Sequence, residues 1–428
     1  MSILRTPSGT KDVLPTEAAE LRLIEDAATT IFREFGYGEV RTPTLEHEEV
    51  MALSHEASLL TGFRLLDERG QLLLLRPDLT APIARLVGSR FGGQVGPHRV
   101  FSVSKIFRRI PEQRGLEAEF RQAGIELLGS EGASADAEVI AVACRVLERA
   151  GLREYRVGLG QLAFFLELLT ALVPVVEDRE ALTRELVGKD FVGFRLLAEA
   201  LDLSTQDRQS ILAVPELRGG AEVLSEAREH VRSQAMQDAL DRLVEVQRAV
   251  AIYGYAERLL FDFGIFRNLA YYTGLVFEVY APELGATLGG GGRYDNLLER
   301  FGRAMPAVGF GLALDRVHAA LVSQSAELSR RVPMTLLVGG LDRHVELAEE
   351  LRAAGLHVFS LAENSAPAEV QLLARQKEAD FLLEPADASG AEWWLVDLHA
   401  GLRERHSGRA LLARLRDPGA LGSSGSDK

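Results

Sequence analysis

The sequence predicts an α+β fold, an antiparallel sheet flanked by helices, followed by a smaller α/β domain. Apolar runs of strand length fall in two groups, at 72–128 and 256–325, bounded by glycine and proline. The segment 131–255 between them interleaves charged and apolar residues at helical spacing, which predicts a mostly helical insertion. We therefore expect one sheet-based domain over 1–325 and a second domain over 333–416.

Local signals place the elements of the large domain. Residues 15–35 repeat apolar side chains at helical spacing, with Thr16 as the expected N-cap. A short strand broken by Pro43 follows, then a buried strand over Leu72–Leu75 and a helix that begins near Thr80. Two more strands are predicted in RVFSVSKIFRR and FRQAGIELLG, joined by the loop IPEQRGLEAE. After the insertion, the predicted strands lie in RLLFDFGIF, YYTGLVFEVYAP, GATLGGGGRYDNLLERFG and AVGFGLALDRV.

The small domain is predicted from an alternation of short strands and helices. The strands are MTLLVGG, LHVFSL, DFLLEP and WWLVDL, and the helical stretches are 342–354 and 367–379. The tail 417–428 is rich in glycine and serine, so we expect it to be disordered.

Composition excludes several classes of protein. The formal net charge of −14 is evidence against a general nucleic-acid binder, although a local basic patch is compatible with it. No run approaches the roughly 18 apolar residues that span a bilayer, and we expect no membrane association. A single cysteine, Cys144, rules out an internal disulfide framework and a cysteine cluster for zinc. We expect a cytoplasmic protein with no metal site and no cofactor.

Several polar residues at strand ends could form a pocket for a small zwitterion. Such a ligand needs an anion near its ammonium group, a cation near its carboxylate and walls that match its shape. Gln122 and Glu126 are four residues apart in a strand and therefore share one face. The other candidates are Asp78, Thr80, Arg108, Arg109, Arg267, Tyr271, Tyr272, the glycines 289–292 and Arg316.

Each candidate also has a structural interpretation. Asp78 could simply cap the following helix. The four glycines could form a bulge or a tight turn, or could let the backbone approach a ligand closely. Tyr271 and Tyr272 point to opposite faces of an extended strand, so at most one of them faces a pocket. Glu126 is harder to explain structurally, because buried carboxylates are rare unless they are paired.

The motifs of the chain, taken together in order, resemble those of histidyl-tRNA synthetase and of its paralogue, the regulatory subunit of ATP phosphoribosyltransferase. The resemblance covers roughly residues 5–325. It rests on PSGTKDVLP, FGYGEVRTPTLE, the stretch from KIFRR to FRQAGIELLG, FRNLAYYTGLVFE, GGGGRYDNLLERFG and AVGFGLALDRV. It implies a class II aminoacyl-tRNA synthetase-like sheet and a homodimer as the minimal unit.

The resemblance also implies roles for individual residues. Asp78, Thr80 and Gln122 would hold the ammonium group of histidine, and Arg267 would lie near its carboxylate. Glu126 and Tyr272 would bind the imidazole nitrogens. The full histidine-binding set is Asp78, Thr80, Arg108, Gln122, Glu126, Arg267, Tyr271 and Tyr272. Arg108, Arg114 and Arg316 would be what remains of a nucleotide site.

Departures from the synthetase pattern favour the regulatory paralogue. Ile110 stands where the synthetase has a glutamate, and Glu117 and Glu119 stand among positions where it has arginines that hold the triphosphate. Acids in place of cations remove attraction and add repulsion. In the histidine signature, Asn268 and Ala270 replace a glycine and an acid, whereas the histidine-facing residues are kept.

The resemblance therefore predicts a non-catalytic protein that senses histidine. We expect it to activate a short-form catalytic subunit of ATP phosphoribosyltransferase and to bind histidine as feedback inhibitor, with a hetero-octamer as the family's usual assembly. The domain over 333–416 resembles an anticodon-binding domain. Its stretch ENSAPAEVQLLARQKEADFLLEP, however, has only Arg375 and Lys377 as cations against several acids. We therefore expect the domain to be vestigial and not to bind tRNA. The alternatives are an active histidyl-tRNA synthetase and a stand-alone histidine-binding interaction protein.

Overall fold

The structure, a computed structural model, describes residues 5–54, 62–91, 96–109, 117–266, 272–326, 334–339, 341–361, 366–387 and 391–416. The chain divides into two units, Met1–Leu328 and Ser329–Lys428. Within the described residues, no helix is both long enough and apolar enough to cross a membrane.

The strands of the first unit form a nine-stranded and a three-stranded sheet. They are β1 Gly38–Glu39, β2 Leu45–His47, β3 Phe63–Leu66, β4 Leu72–Leu75, β5 His98–Phe107, β6 Glu119–Leu128, β7 Arg156–Gln161, β8 Arg218–Gly219, β9 Leu259–Asp262, β10 Leu275–Tyr280, β11 Thr287–Arg293 and β12 Ala307–Ala313. The large sheet has the order β1-β5-β6-β12-β11-β10-β7-β9-β8, and the small one β2-β4-β3. Pairing in the large sheet is antiparallel except between β1 and β5 and between β7 and β9.

The helices of this unit are α1 Pro15–Glu34, α2 Glu48–Ala52, α3 Thr80–Arg90, α4 Ala133–Arg149, α5 Leu162–Leu172, α6 Val176–Val187, α7 Phe191–Ala200, α8 Thr205–Ala213, α9 Val223–Glu229, α10 Gln234–Ile252 and α11 Leu314–Ser323. The position of α1 is as predicted, but Thr16 is not its N-cap. The helix begins at Pro15 with Leu14 in the N-cap position. Proline is favoured in the first helical position, since its fixed φ suits the helix and its missing N–H has no intrahelical partner there.

The segment 131–255 is mostly helical, but it also supplies part of the large sheet. Strand β7 pairs with β10 on one side and β9 on the other, near the middle of the sheet. Helix α4 packs against α1, α10 and β12. The hydrophobic pattern did not indicate β7, because the stretch RVGLGQ contains two glycines and has little of the β-branched character typical of strands.

The second unit is a five-stranded sheet with helices on both faces. Its elements are β13 Met334–Val338, α12 Leu341–Ala353, β14 His357–Leu361, α13 Pro367–Gln376, β15 Phe381–Pro385, β16 Glu392–Asp397, β17 Arg403–Ser407 and α14 Gly408–Arg416. The strand order is β14-β13-β15-β16-β17. Helices α12 and α14 bury leucines against one face, and α13 packs Val370 and Ala374 on the other. The four predicted strands and two predicted helices are present, and β17 and α14 are additional.

The two faces of the large sheet differ in a way that positions the site. On one face, apolar side chains pair across neighbouring strands and join the main core; they include Phe101, Ile125, Phe310, Phe277 and Leu159. On the opposite face, the register brings seven glycines together: Gly124, Gly158, Gly160, Gly290, Gly292, Gly309 and Gly311. A face without side chains at its centre leaves room for polar side chains, or a ligand, to lie directly on the backbone.

Candidate functional site

Glu126 lies on the glycine-bearing face of the large sheet and is 5% exposed. Its partner residue in the register is Gly309 on β12. Thr80, at the start of α3, donates its hydroxyl to Glu126 Oε1 at 2.8 Å, and the Tyr294 hydroxyl donates to Glu126 Oε2. Both carboxylate oxygens therefore accept a hydrogen bond from a neutral donor.

The charge of Glu126 is finely balanced. Burial raises the pKa of this carboxyl from 4.5 to about 7. The hydrogen bonds from Tyr294 and Thr80 act in the opposite direction, and the nearby charge of Asp78 adds to the rise. A buried carboxyl whose pKa lies near neutral pH is often found at functional sites.

Gln122 lies farther along the same strand face, and Asp78 lies near this carboxylate. Gln122 lies on the same face of β6 as Glu126, as the spacing predicted, and its side chain covers Gly311: a Cβ there would be 2.2 Å from Gln122 Nε2. Asp78 accepts a hydrogen bond from the Ala81 N–H at 3.2 Å, so it does have the capping contact considered as its structural interpretation. The same carboxylate is 8% exposed and acts electrostatically on Glu126, so capping does not remove it from the site.

Tyr272 covers another glycine of this face. A Cβ on Gly292 would be 3.0 Å from two ring carbons of Tyr272. The ring lies edge to face with that of Tyr294, with centroids 6.4 Å apart. The predicted glycine stretch 289–292 is thus not a turn but part of central strand β11, and an irregularity in the pairing with β10 lies at its start, between Thr287 and Gly289.

Arg108 and Arg316 come together at a third aromatic ring. Each guanidinium lies over Phe120, at 5.5 Å and 5.6 Å from the ring centroid. Arg108 Nε donates to the Pro77 carbonyl at 2.9 Å, and Arg316 Nη1 donates to the Thr287 carbonyl at 2.8 Å. Two of the three arginines predicted to be the remains of a nucleotide site therefore contact the same ring, and each donates to a backbone carbonyl.

The two acids that distinguish the loop after Arg108 are paired within the protein. Lys11 forms ion pairs with Glu117 at 3.0 Å and with Glu17 at 2.8 Å, and Lys105 pairs with Glu119. Burial alone would lower the pKa of Lys11, but the two carboxylates outweigh it and raise the pKa to about 12. Glu117 and Glu119 thus form ion pairs at the end of the loop, at positions among which the synthetase pattern has arginines.

Three predicted site residues, Arg114, Arg267 and Tyr271, lie outside the described residues, as do Ile110 and Ala270. The structure describes the other seven. Asp78, Thr80, Gln122, Glu126 and Tyr272 lie at the glycine floor, the face of the large sheet that carries the seven glycines 124, 158, 160, 290, 292, 309 and 311. Arg108 and Arg316 lie beside Phe120. In the described part of the chain, no three His, Cys, Asp or Glu residues are grouped so that they could hold a metal ion.

Sequence reasoning missed two residues of this site. Phe120 is two residues before Gln122 on β6, so strand alternation already placed it on the same face. Tyr294 follows β11 directly and could have been suspected only from its position after the glycines. Which carboxylate its hydroxyl meets depends on the register between β6, β12 and β11, and no local pattern encodes that register.

Comparisons with known proteins show the family to which this chain is related. The family model for histidyl-tRNA synthetase matches residues 9–317. An ATP phosphoribosyltransferase regulatory subunit from Desulforamulus reducens is 36% identical over 382 residues, covering 89% of this chain and 95% of that protein. One from Moorella thermoacetica is 38% identical over 362 residues, covering 83% and 91%. The chain belongs to the family of ATP phosphoribosyltransferase regulatory subunits.

Solved structures show the same relationship at the level of the fold. A protein described as an ATP phosphoribosyltransferase regulatory subunit/histidyl-tRNA synthetase from Bacillus halodurans has a TM-score of 0.78 at 35% identity, over 88% of this chain and 97% of that one. A histidyl-tRNA synthetase from a Nostoc species has a TM-score of 0.81 over 98% and 100%, at 20% identity, which shows the fold alone. The predicted class II synthetase-like fold is confirmed.

We expect Gly309→Ala to destabilise this regulatory-subunit fold by about 1–3 kcal/mol, the usual cost of overpacking. The new Cβ would lie 1.7 Å from Glu126 Oε2 and 2.5 Å from the Ile125 carbonyl, so the carboxylate must leave its two hydroxyl donors. Urea unfolding measures the effect. Gly285→Ala is the matched control, since a Cβ there meets no described neighbour within 4 Å; equal midpoints for the two variants would contradict the close packing at Gly309.

We expect Glu126→Gln to stabilise the ligand-free protein at pH 8 and to have little effect at pH 4.5. Because the folded-state pKa of Glu126 is raised from 4.5 to about 7, its contribution to stability is complete below pH 4.5 and is lost as the pH rises through 7. The loss is of the order of 3 kcal/mol. Urea unfolding at both pH values, with the exposed Glu177→Gln as control, checks it. A variant less stable than wild type at pH 8 would show that the hydrogen bonds outweigh burial and that the folded state favours the charged form.

Proposed function

We propose that the chain is a non-catalytic subunit that activates a separate short-form ATP phosphoribosyltransferase in the first step of histidine biosynthesis, and that histidine binds on the glycine floor as feedback inhibitor. The observation that carries this is the Glu126 carboxylate, which is buried yet accepts hydrogen bonds from two hydroxyls, on a glycine-bearing sheet face that Gln122 and Tyr272 also cover. A carboxylate kept as an acceptor suits the ring N–H of histidine.

The loop after Arg108 supports sensing rather than activation of the amino acid. A triphosphate needs cations, whereas Glu117 and Glu119 stand at the end of this loop and are paired with Lys11 and Lys105. A nucleotide there would have to compete with these internal ion pairs and would meet like charge. The amino-acid half of the site has no such obstacle among the described residues.

Feedback also requires two states of the assembly. Histidine inhibits only if it binds one state of the complex with the catalytic subunit more tightly than the other, because equal affinity shifts no equilibrium. We propose a homodimer of this chain at the centre of a hetero-octamer, as the resemblance implies.

In the second unit, the surroundings of Lys377, one of the two cations in the stretch compared with RNA-binding segments, argue against tRNA binding. Lys377 lies over the ring of Phe359 at 5.3 Å, and Glu378 follows it directly. RNA contact through the phosphate backbone requires cations that are available to it. We therefore propose no tRNA partner.

The test is reconstitution with the short-form catalytic subunit of the same organism. We expect formation of phosphoribosyl-ATP to require both chains and to be inhibited by histidine. No activation would contradict the regulatory role, and activation without inhibition would contradict the histidine site. Activation also separates this function from a stand-alone histidine-binding protein, which would bind histidine without affecting the enzyme.

An active histidyl-tRNA synthetase is the second candidate, favoured by one observation: Arg108 and Arg316 still meet at Phe120. Histidine-dependent exchange of pyrophosphate into ATP by the purified chain would support it and refute the sensor. We expect no exchange above background.

Tyr272→Phe should weaken histidine inhibition about tenfold while leaving activation intact, because loss of one hydrogen bond in a desolvated site costs about 1–1.5 kcal/mol. The half-inhibitory histidine concentration is the measurement. Tyr253→Phe, at the end of α10, makes the same chemical change away from the glycine floor and serves as control. Unchanged inhibition in Tyr272→Phe would refute the proposed pocket.

Arg316→Ala should change neither activation nor histidine inhibition, because the proposed sensor does not use its nucleotide site. A small loss of stability, about 1 kcal/mol, is expected from the hydrogen bond to the Thr287 carbonyl. Enzyme assays of the reconstituted complex and thermal unfolding separate the two effects. A variant that keeps its fold but loses histidine inhibition would place Arg316 in the sensing site.

A further inference from the structure

Tyr294 is buried beside Glu126 and held by its neighbours in sequence. It is 2% exposed, and its N–H donates to the Ala307 carbonyl at 2.8 Å. Before it, Arg293 Nε donates to Asp136 Oδ1 at 2.8 Å; after it, Asp295 Oδ1 accepts from the Ala307 N–H at 3.0 Å. The backbone on both sides is thus fixed, so the direction of the Tyr294 hydroxyl is set by the fold.

This hydroxyl has a definite chemical effect on the carboxylate. Among the described residues, the groups that act on the Glu126 carboxyl are Asp78, Thr80 and Tyr294. Asp78 is an acid and disfavours ionisation, as burial does, whereas the two hydroxyls donate to the charged form and favour it. Val100 and Gly309, the cross-strand neighbours of Glu126, carry no charge.

We propose that Tyr294 is a positioning residue for histidine: with Thr80 it orients Glu126 and favours its ionised form, so that the remaining lone pairs accept the ring N–H. This inference rests on the proposed function, since it concerns how the same site recognises its ligand. Each carboxylate oxygen has two acceptor positions, and one on each oxygen is taken by a hydroxyl.

The consequence is selectivity for ligands with a ring N–H donor. A protonated Glu126 would carry an O–H on one oxygen and would no longer be charged, so the N–H of histidine would lose its charge-assisted hydrogen bond. Sites built to satisfy a polar ligand group discriminate strongly against ligands or states in which that group is unpaired. Tyr294 would act on this selectivity through Glu126, without its own contact to histidine.

The test is the pH dependence of histidine binding by Tyr294→Phe, measured by calorimetry between pH 6.5 and 9. Wild-type affinity should rise as Glu126 ionises around pH 7 and then level off. Without the Tyr294 hydroxyl the carboxyl loses a hydrogen bond that favours its charge, so ionisation moves to higher pH. We expect affinity at pH 7.5 to fall about tenfold, the effect of one hydrogen bond to a charged group, and to recover to within about threefold of wild type at pH 9.

Tyr272→Phe is the matched control, since it should weaken binding by a similar factor at every pH. If Tyr294→Phe loses the same factor of histidine affinity at every pH, or loses none, the positioning role is overturned. The proposed function stands in that case as long as wild type binds histidine. Wild type that binds no histidine refutes the proposed function instead.

If wild type binds no histidine, a measurement without ligand still tests the effect of Tyr294 on Glu126. Urea unfolding from pH 5 to 9 should show the pH-dependent loss of stability extending to higher pH in Tyr294→Phe than in wild type, because the pKa of Glu126 is higher without the hydroxyl. Identical pH profiles would overturn the inference. This readout also reveals whether the variant folds.

Discussion

The burial of one carboxylate is the constraint around which the site is built. An ionised group removed from water is unfavourable unless its oxygens are hydrogen-bonded. For Glu126 this requires a hydroxyl at the start of α3, another just after β11, and a residue without a side chain opposite it on β12. Three elements that are far apart in the sequence therefore have to meet at fixed positions, and the order of strands in the large sheet brings them together.

The predicted amino-acid site around Glu126 and the predicted nucleotide site around Arg108 have different electrostatics. Around Glu126 the hydrogen-bond donors are two neutral hydroxyls, which leave the carboxylate as an acceptor for a small ligand. At the end of the loop after Arg108, acids are already paired: Lys11 forms ion pairs with Glu117 and Glu17, and Ala118 donates its N–H to the Gly9 carbonyl at 2.7 Å. The N-terminal motif PSGTKD thus contacts the residues that follow this loop. Paired acids at this position add negative charge where a polyanion would need cations.

The sequence was sufficient for what depends on local pattern and insufficient for what depends on register. The strands β5 and β6 and the shared face of Gln122 and Glu126 follow from alternation with a period of two. Strand β7 escaped detection because glycines weaken the strand signal at the very positions where the sheet must be bare. Tyr294 was not predicted because no sequence pattern indicates which residue a tyrosine after a strand will contact. Its partner Glu126 is 168 residues away. Such contacts are decided by tertiary structure.

A site that lowers the stability of the free protein is explained most simply by a ligand. At neutral pH the buried Glu126 is partly protonated and its ionised form is unfavourable in the folded state. An apolar residue of similar size would avoid this cost, and so would glutamine, yet neither could accept a hydrogen bond as a carboxylate does. A ligand that donates an N–H to Glu126 stabilises the ionised form and, by mass action, the folded state that holds it. Violations of the usual rules of packing occur most often at functional sites. The cost at Glu126 therefore favours a protein that still binds an amino acid over one in which the whole synthetase-like site is a remnant.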